Sequence, residues 1–325
     1  MKVNHQTQLL QLNHVKKHFP IKKGLLQRPK NYVKAVNGIN LTVSEGETLG
    51  VVGESGCGKS TLGRVVIGLE KLSDGSIQFK DESIGNLSER KLKKYKKDLQ
   101  MIFQDPFASL NPRQKIGNAL EEIFIIHTNM SKSERKQKVL SLLKEVGLKE
   151  EHYDRYPREF SGGQRQRVGI ARALALNPSL IVCDEAVSAL DVSVQAQIMK
   201  LLKDVQTKYE LTYLFISHDL GVVRYMSDRI LVMYLGAQVE LGDSEQIYKN
   251  PLHPYTKALL SAIPRPNPKH KRNRIKLQGD LPSASNYPTG CPFHTRCPIA
   301  QEHCAEIVPE WREIEENHFV ACHEV

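Results

Sequence analysis

A chain of 325 residues, 40% apolar and 25% charged with a single Trp, has the composition of an ordinary globular protein, and its length suits one large α/β domain with an appendage. Met1 to Leu12 is polar and no run of 18 apolar residues occurs, so neither a secretory signal nor a membrane-spanning helix is expected and the chain reads as cytosolic. The net charge of +10 admits a nucleic-acid or an anionic-membrane partner without choosing between them, and the densest basic runs, Lys91–Lys97 and Lys269–Arg274, read as a solvated helix face and a linker.

Leu9–Val15 is apolar-rich, and Ala35–Val43 follows a basic insertion at 20–34; the two segments are expected to pair as antiparallel β-strands. Glu47–Val52 ends an apolar run at a Gly-rich turn, after which Leu62, Val65, Val66 and Leu69 recur at helical spacing. From about 106 to 176 the pattern is helical, with Leu140, Leu143 and Val146 on one apolar stripe. Strands return at Leu180–Cys183, Thr212–Ile216 and Arg229–Met233, alternating with helical stretches as in a parallel sheet with crossover helices. After Gly242 the periodicity fades and prolines multiply. A boundary is placed near 243, and the tail beyond it is expected to lean on the main domain or on a metal.

Gly53-Glu54-Ser55-Gly56-Cys57-Gly58-Lys59-Ser60, followed by Thr61, fits G-x-x-x-x-G-K-S and lies between an expected strand and an expected helix. Its glycines let backbone N–H groups turn inward around phosphates, Lys59 would reach the outer phosphates, and Ser60 would bind Mg²⁺. Leu180–Glu185 sets two carboxylates at the end of a buried strand: Asp184 to hold hydrated Mg²⁺, Glu185 to orient or deprotonate the attacking water. Between these motifs, Ser161-Gly162-Gly163-Gln164 offers a Ser N-cap with open N–H groups, a second phosphate-binding helix start.

With these motifs in this order, the chain resembles the ABC ATPases. The resemblance implies an α/β P-loop NTPase with an N-terminal antiparallel β-subdomain, an α-helical insert and a C-terminal extension of the peptide-importer type. A nucleotide-binding domain over 1–242, with its insert at about 106–176, would precede an extension over 243–325. It implies a dimer, in which Ser161–Gln164 closes on the γ-phosphate held by the other subunit. Gln104 resembles the glutamine that senses Mg²⁺ and the lytic water, Asp191 the coupling residue between the two ATP sites, and His218 the switch histidine on the γ-phosphate. Phe19 resembles the aromatic that stacks on adenine, with Tyr32 as its competitor.

Gln104–Arg113, Cys183–Ser193 and Asn250–Leu260 resemble, more narrowly, the ATPase subunits of bacterial oligopeptide and dipeptide importers, and the Ser-Leu-Asn-Pro-Arg form resembles the F member of that pair. This implies ATP and Mg²⁺ as cofactors, a second and different ATPase subunit, two transmembrane permease subunits and, indirectly, an extracellular peptide-binding protein. The place of work would be the cytoplasmic face of the membrane, held peripherally, with the stretch after Gln104 relaying nucleotide state to the permeases. Two other readings stand beside it: the same machine with another cargo such as nickel, and a soluble ABC protein acting on nucleic acid. The second is disfavoured by a single motif set and the lack of a long coiled-coil insert.

Six cysteines in a chain without an export signal should stay reduced. Cys57 and Cys183 read as small loop and core residues. Cys291, Cys297, Cys304 and Cys322 cluster in the last 35 residues. Four soft ligands select zinc or an iron–sulfur cluster, yet a tight Cys pair is absent and the spacing departs from ferredoxin runs, so zinc, cluster and bare thiols all stay open. The importer resemblance implies a [4Fe-4S] cluster there.

Overall fold

A computed structural model describes residues 7–21, 31–105, 110–263, 275–280 and 282–325. The basic run at 269–274, the segment 106–109 that opens the relay after Gln104, and most of the expected insertion (22–30) lie outside the described residues. In chain order the strands are β1 (Gln8–Ile21), β2 (Asn31–Ser44), β3 (Thr48–Val52), β4 (Asp74–Phe79), β5 (Glu82–Ser83), β6 (Leu99–Ile102), β7 (Leu180–Asp184), β8 (Thr212–Ile216), β9 (Arg229–Tyr234), β10 (Ala237–Asp243), β11 (Arg312–Glu315) and β12 (His318–Val320). The helices are α1 (Lys59–Val66), α2 (Glu89–Leu92), α3 (Ile116–His127), α4 (Lys132–Glu145), α5 (Gly162–Leu174), α6 (Val192–Tyr209), α7 (Leu220–Met226), α8 (Ser244–Lys249), α9 (Pro254–Ser261) and α10 (Glu302–Glu306). None of the described helices is long and apolar enough to cross a membrane.

The chain forms two compact units, one of Met1–Ser44, Thr48–Leu87 and Ile216–Val325, the other of Glu45–Glu47 and Ser88–Phe215. In the first, β1 and β2 pair antiparallel as expected, but the pairing extends to Pro20↔Tyr32 and Ile21↔Asn31, into the stretch read as an insertion. Proline is tolerated there because β4 accompanies β1 only as far as Lys16, which leaves an open edge where a missing N–H breaks no ladder. The helical run after the Gly-rich turn is shorter than its periodicity suggested. α1 ends at Val66, Gly68 follows at φ +71°, and Leu69 is 53% exposed.

A second sheet of this unit runs β11-β12-β10-β9-β3. β3 and β9 are parallel and buried on both faces, which is why Leu49–Val52 and Ile230–Tyr234 read as unbroken apolar runs. The tail joins this sheet: β12 pairs with β10 at Glu240↔Val320 and Leu241↔Phe319. A buried carboxylate fixes the junction. Glu240, wholly buried, accepts from the N–H groups of Leu252 (2.7 Å) and His253 (3.0 Å) and bonds His318 Nε2 (2.8 Å). His253 in turn caps α9, its Nδ1 accepting from Tyr255 N–H at 3.0 Å.

In the second unit β6 and β7 are parallel, with β8 on the other side of β7. The helical expectation holds for α3, α4 and α5. The buried stripe of α4 differs by one position from the reading: Val139, Leu142 and Leu143, continued by Val146, face inward, and Leu140 is only half-buried. Ser131 and Glu134 form a capping box that starts this helix. The basic run at 91–97 is a short helix and a 3₁₀ turn, with Leu92 and Tyr95 buried and its lysines exposed.

Candidate functional site

In the first unit β3 feeds the Gly-rich loop. Gly53 (φ +151°) and Gly58 (φ +103°) admit no side chain: a Cβ would stand 2.2 Å from Met233 O at the first and 1.9 Å from Ala35 O at the second. Ser55 and Gly56 are exposed, Ser60 and Thr61 half-buried. Lys59 is buried and folds back over the loop, its Nζ donating to Gly53 O (2.8 Å) and Glu54 O (3.0 Å). Cys57 is buried beneath, and burial pushes its thiol above the ordinary range. Ser217 N–H bonds Val51 O at 3.3 Å, bringing the His218 turn beside the end of β3. His218 is exposed, and Asp219 caps α7 by accepting from Gly221 and Val222 N–H. On the β1–β2 ribbon, Phe19 is half-buried with Lys17 Nζ 4.7 Å from its ring centre, and Tyr32 is 45% exposed.

In the second unit β7 is wholly buried and delivers Asp184, 2% exposed, at its last position. The next residue, Glu185, adopts φ +49°, uncommon for a side-chain-bearing residue, and turns the chain sharply out of the strand. Gln104 Nε2 donates to Glu185 Oε2 at 2.8 Å, so these two expected catalytic residues do come together. Ser188 closes the turn, its N–H and hydroxyl both donating to Glu185 O. Asp191 caps α6, accepting from Ser193 Oγ (2.7 Å) and Val194 N–H (3.0 Å), bonds that hold its carboxyl below the usual carboxylate range. The expected Ser161 cap is present: its Oγ accepts from Gln164 N–H, while Gln164 Oε1 accepts from Ser161 N–H. Gly163 lets α5 approach α6, for a Cβ there would lie 2.5 Å from Val194 Cγ1.

Two residues that the motifs did not single out touch the Gly-rich loop from the tail side. Glu54 N–H donates to Tyr255 Oη at 2.8 Å, and the Glu54 carboxylate pairs with Arg296. The only sequence signals were their places inside the Asn250–Leu260 stretch and immediately before Cys297.

Of the four tail cysteines, Cys291, Cys304 and Cys322 are buried and Cys297 is half-buried. At three of them a backbone N–H two residues on acts to lower the thiol: that of Phe293 at Cys291, of Ile299 at Cys297 and of Glu324 at Cys322. Such donors stabilise a thiolate, whereas burial pushes the Cys291 thiol up to about 11. A metal must displace that proton, as metal binding to thiols generally does. A tetrahedral zinc gathers sulfurs to about 3.8 Å from one another. Among the described residues the one trio of ligand-type atoms within 4.8 Å is His303, Cys304 and Glu324, so the four thiols are spread more widely than zinc draws them. Four thiols are the donor set of an iron–sulfur cluster as well as of zinc.

Residues 36–188 match the family model described as ABC transporter, and residues 239–304 the model described as oligopeptide/dipeptide transporter, C-terminal region. The chain is 56% identical, over 99% of both chains, to the oligopeptide transport ATP-binding protein AppF of Bacillus subtilis. It is 52% identical, over 98% of both, to the dipeptide transport ATP-binding protein DppF of Haemophilus influenzae. Among solved structures it is similar to the ATP-binding cassette MJ0796, solved as a dimer in a post-hydrolysis state bound to ADP and Pi. The identity is 30% and the TM-score 0.65, with 73% of this chain and 99% of that one covered.

Proposed function

The chain belongs to the ABC transporter family, and from that premise we propose that it is the ATP-binding and hydrolysing subunit that energises import of oligopeptides or dipeptides. The observation that carries the reading is similarity to peptide-transport ATPases over 99% of both chains, C-terminal region included. It is an ATPase whose hydrolysis is coupled to transport, and its cofactors are ATP and Mg²⁺.

Residue roles follow the sequence motifs. Gly53, Ser55, Gly56, Cys57, Gly58, Lys59, Ser60 and Thr61 hold the phosphates; Ser60, Gln104 and Asp184 are assigned to Mg²⁺. Glu185 activates the water, and its bond to Gln104 supports a shared role. His218 senses the γ-phosphate and Phe19 stacks on adenine. Ser161–Gln164 serves the ATP of a second ATPase subunit, with Asp191 coupling the two sites. That subunit is a different chain, and the pair works peripherally at the cytoplasmic face below two permease subunits, served indirectly by an extracellular peptide-binding protein.

The four soft donors gathered in the tail and the resemblance to importer ATPases support Cys291, Cys297, Cys304 and Cys322 as holders of a [4Fe-4S] cluster, a group that accepts and releases single electrons when bound. Protein purified without oxygen should then carry iron, sulfide and a broad visible absorbance that Cys291→Ser removes. A colourless, iron-free preparation would overturn this assignment. For the transport reading, a strain lacking the gene should fail to take up labelled di- or oligopeptide, and wild-type protein but not Lys59→Ala should restore uptake. Uptake unchanged by the deletion would overturn it.

A further inference from the structure

Glu54, the second residue of the Gly-rich loop, is held on three sides. Its carboxylate takes a two-pronged grip from Arg296, Nη1 to Oε2 at 2.8 Å and Nη2 to Oε1 at 3.2 Å. Its N–H donates to Tyr255 Oη at 2.8 Å. Its carbonyl accepts from Lys59 Nζ at 3.0 Å and from Cys57 N–H at 3.2 Å. The third contact is the ammonium assigned to the phosphates, so displacing Glu54 moves an oxygen that aims Lys59.

The two outer grips both come from beyond β10, and neither is loose. Arg296 is 10% exposed, its N–H is fixed on Phe293 O at 3.0 Å, and its guanidinium lies 5.9 Å from the Tyr234 ring centre. Phe293 packs against Tyr234, Tyr255 and His253 at ring separations of 5.2, 5.4 and 5.5 Å. The turn from Cys291 to Cys297 therefore carries Arg296 at its end and one wall of an aromatic core that seats Tyr255. A forked guanidinium–carboxylate pair partly shielded from water is among the firmer polar contacts a protein makes.

We propose that Arg296 and Tyr255 are positioning residues for the phosphate loop, through which the cysteine-bearing tail sets the affinity of that loop for ATP. This rests on Gly53–Ser60 being the ATP phosphate loop. The tail is then part of the nucleotide site, and whatever reorders the Cys291–Cys297 turn is felt as a change in nucleotide affinity.

The test is equilibrium binding of a fluorescent ATP analogue, with ATP as competitor, to the full-length purified chain, with thermal midpoints recorded in parallel. Wild type should bind and Lys59→Ala should not; loss of that contrast would sink the loop reading itself. Arg296→Ala and Glu54→Gln should each weaken ATP binding by about 5- to 20-fold, the loss expected from a partly shielded charged hydrogen bond. The double variant should be no weaker than the worse single, because both remove one contact. Arg296→Lys should recover only part, since it keeps the charge but not the fork. If Arg296→Ala does not fold, Glu54→Gln, at a carboxylate 27% exposed, carries the same comparison. ATP affinity within about twofold of wild type in folded Glu54→Gln, or losses that multiply in the double variant, would overturn the proposal.

Discussion

Glu185 sits where backbone strain and chemistry coincide. Its φ of +49° costs of order 1 kcal/mol, and the turn is held by two bonds from Ser188 to its carbonyl. That geometry releases the carboxylate from the buried line of β7 and brings it to Gln104 Nε2. A general base should be dispensable for binding and needed for turnover. Glu185→Gln is therefore expected to retain ATP affinity while hydrolysis falls about 100-fold or more. Phosphate release measured at saturating ATP checks this, and near-wild-type turnover would remove Glu185 as base. These residues were legible in the sequence because each motif is a short run whose chemistry depends on neighbours in the chain. Arg296 and Tyr255 were not, because their partner Glu54 lies 242 and 201 positions away and no local spacing announces such a pairing.

At the scale of elements, the junction of β10, β12 and α9 rests on Glu240 and on a histidine kept neutral. Burial lowers His253 from 6.5 to about 4, although the charge of Glu240 pulls the other way. Below pH 6.5 the unfolded chain takes up a proton at His253 that the folded chain refuses until about pH 4. Stability from this source is therefore fully present above pH 6.5 and is lost as pH falls, amounting to roughly 3 kcal/mol at the acid end. Urea midpoints at several pH values between these limits should show the slope. His253→Asn, whose amide oxygen can still cap α9, should flatten it, and an unchanged slope would place the acid sensitivity elsewhere. The strands that pack this junction were the least legible part of the fold. β10 lies inside the last stretch that read as domain, whereas β11 and β12 are short, polar on one side and defined only by the partner they join. β3, β7 and β8 were found readily because a strand buried on both faces writes an unbroken apolar run.

For the whole molecule, the helical stretch that begins near 106 was legible in outline because α3, α4 and α5 each carry their own apolar stripe and, in two cases, their own Ser cap. The tail was read as unable to build a core unaided. What it does instead is share one: Phe293 enters the aromatic cluster of Tyr234 and Tyr255, and β12 extends the sheet of the first unit. That extension has a further effect on solubility. Without β12, β10 would offer a bare apolar edge, with Val239 and Leu241 buried at its centre, to any other strand in a crowded cell. With the tail in place the outermost strand is β11, four residues long, exposed along its length, and reading Arg-Glu-Ile-Glu. A short edge with three charges in four residues is a poor template for another chain, so the same strands that attach the tail also guard the protein against sheet-to-sheet polymerisation.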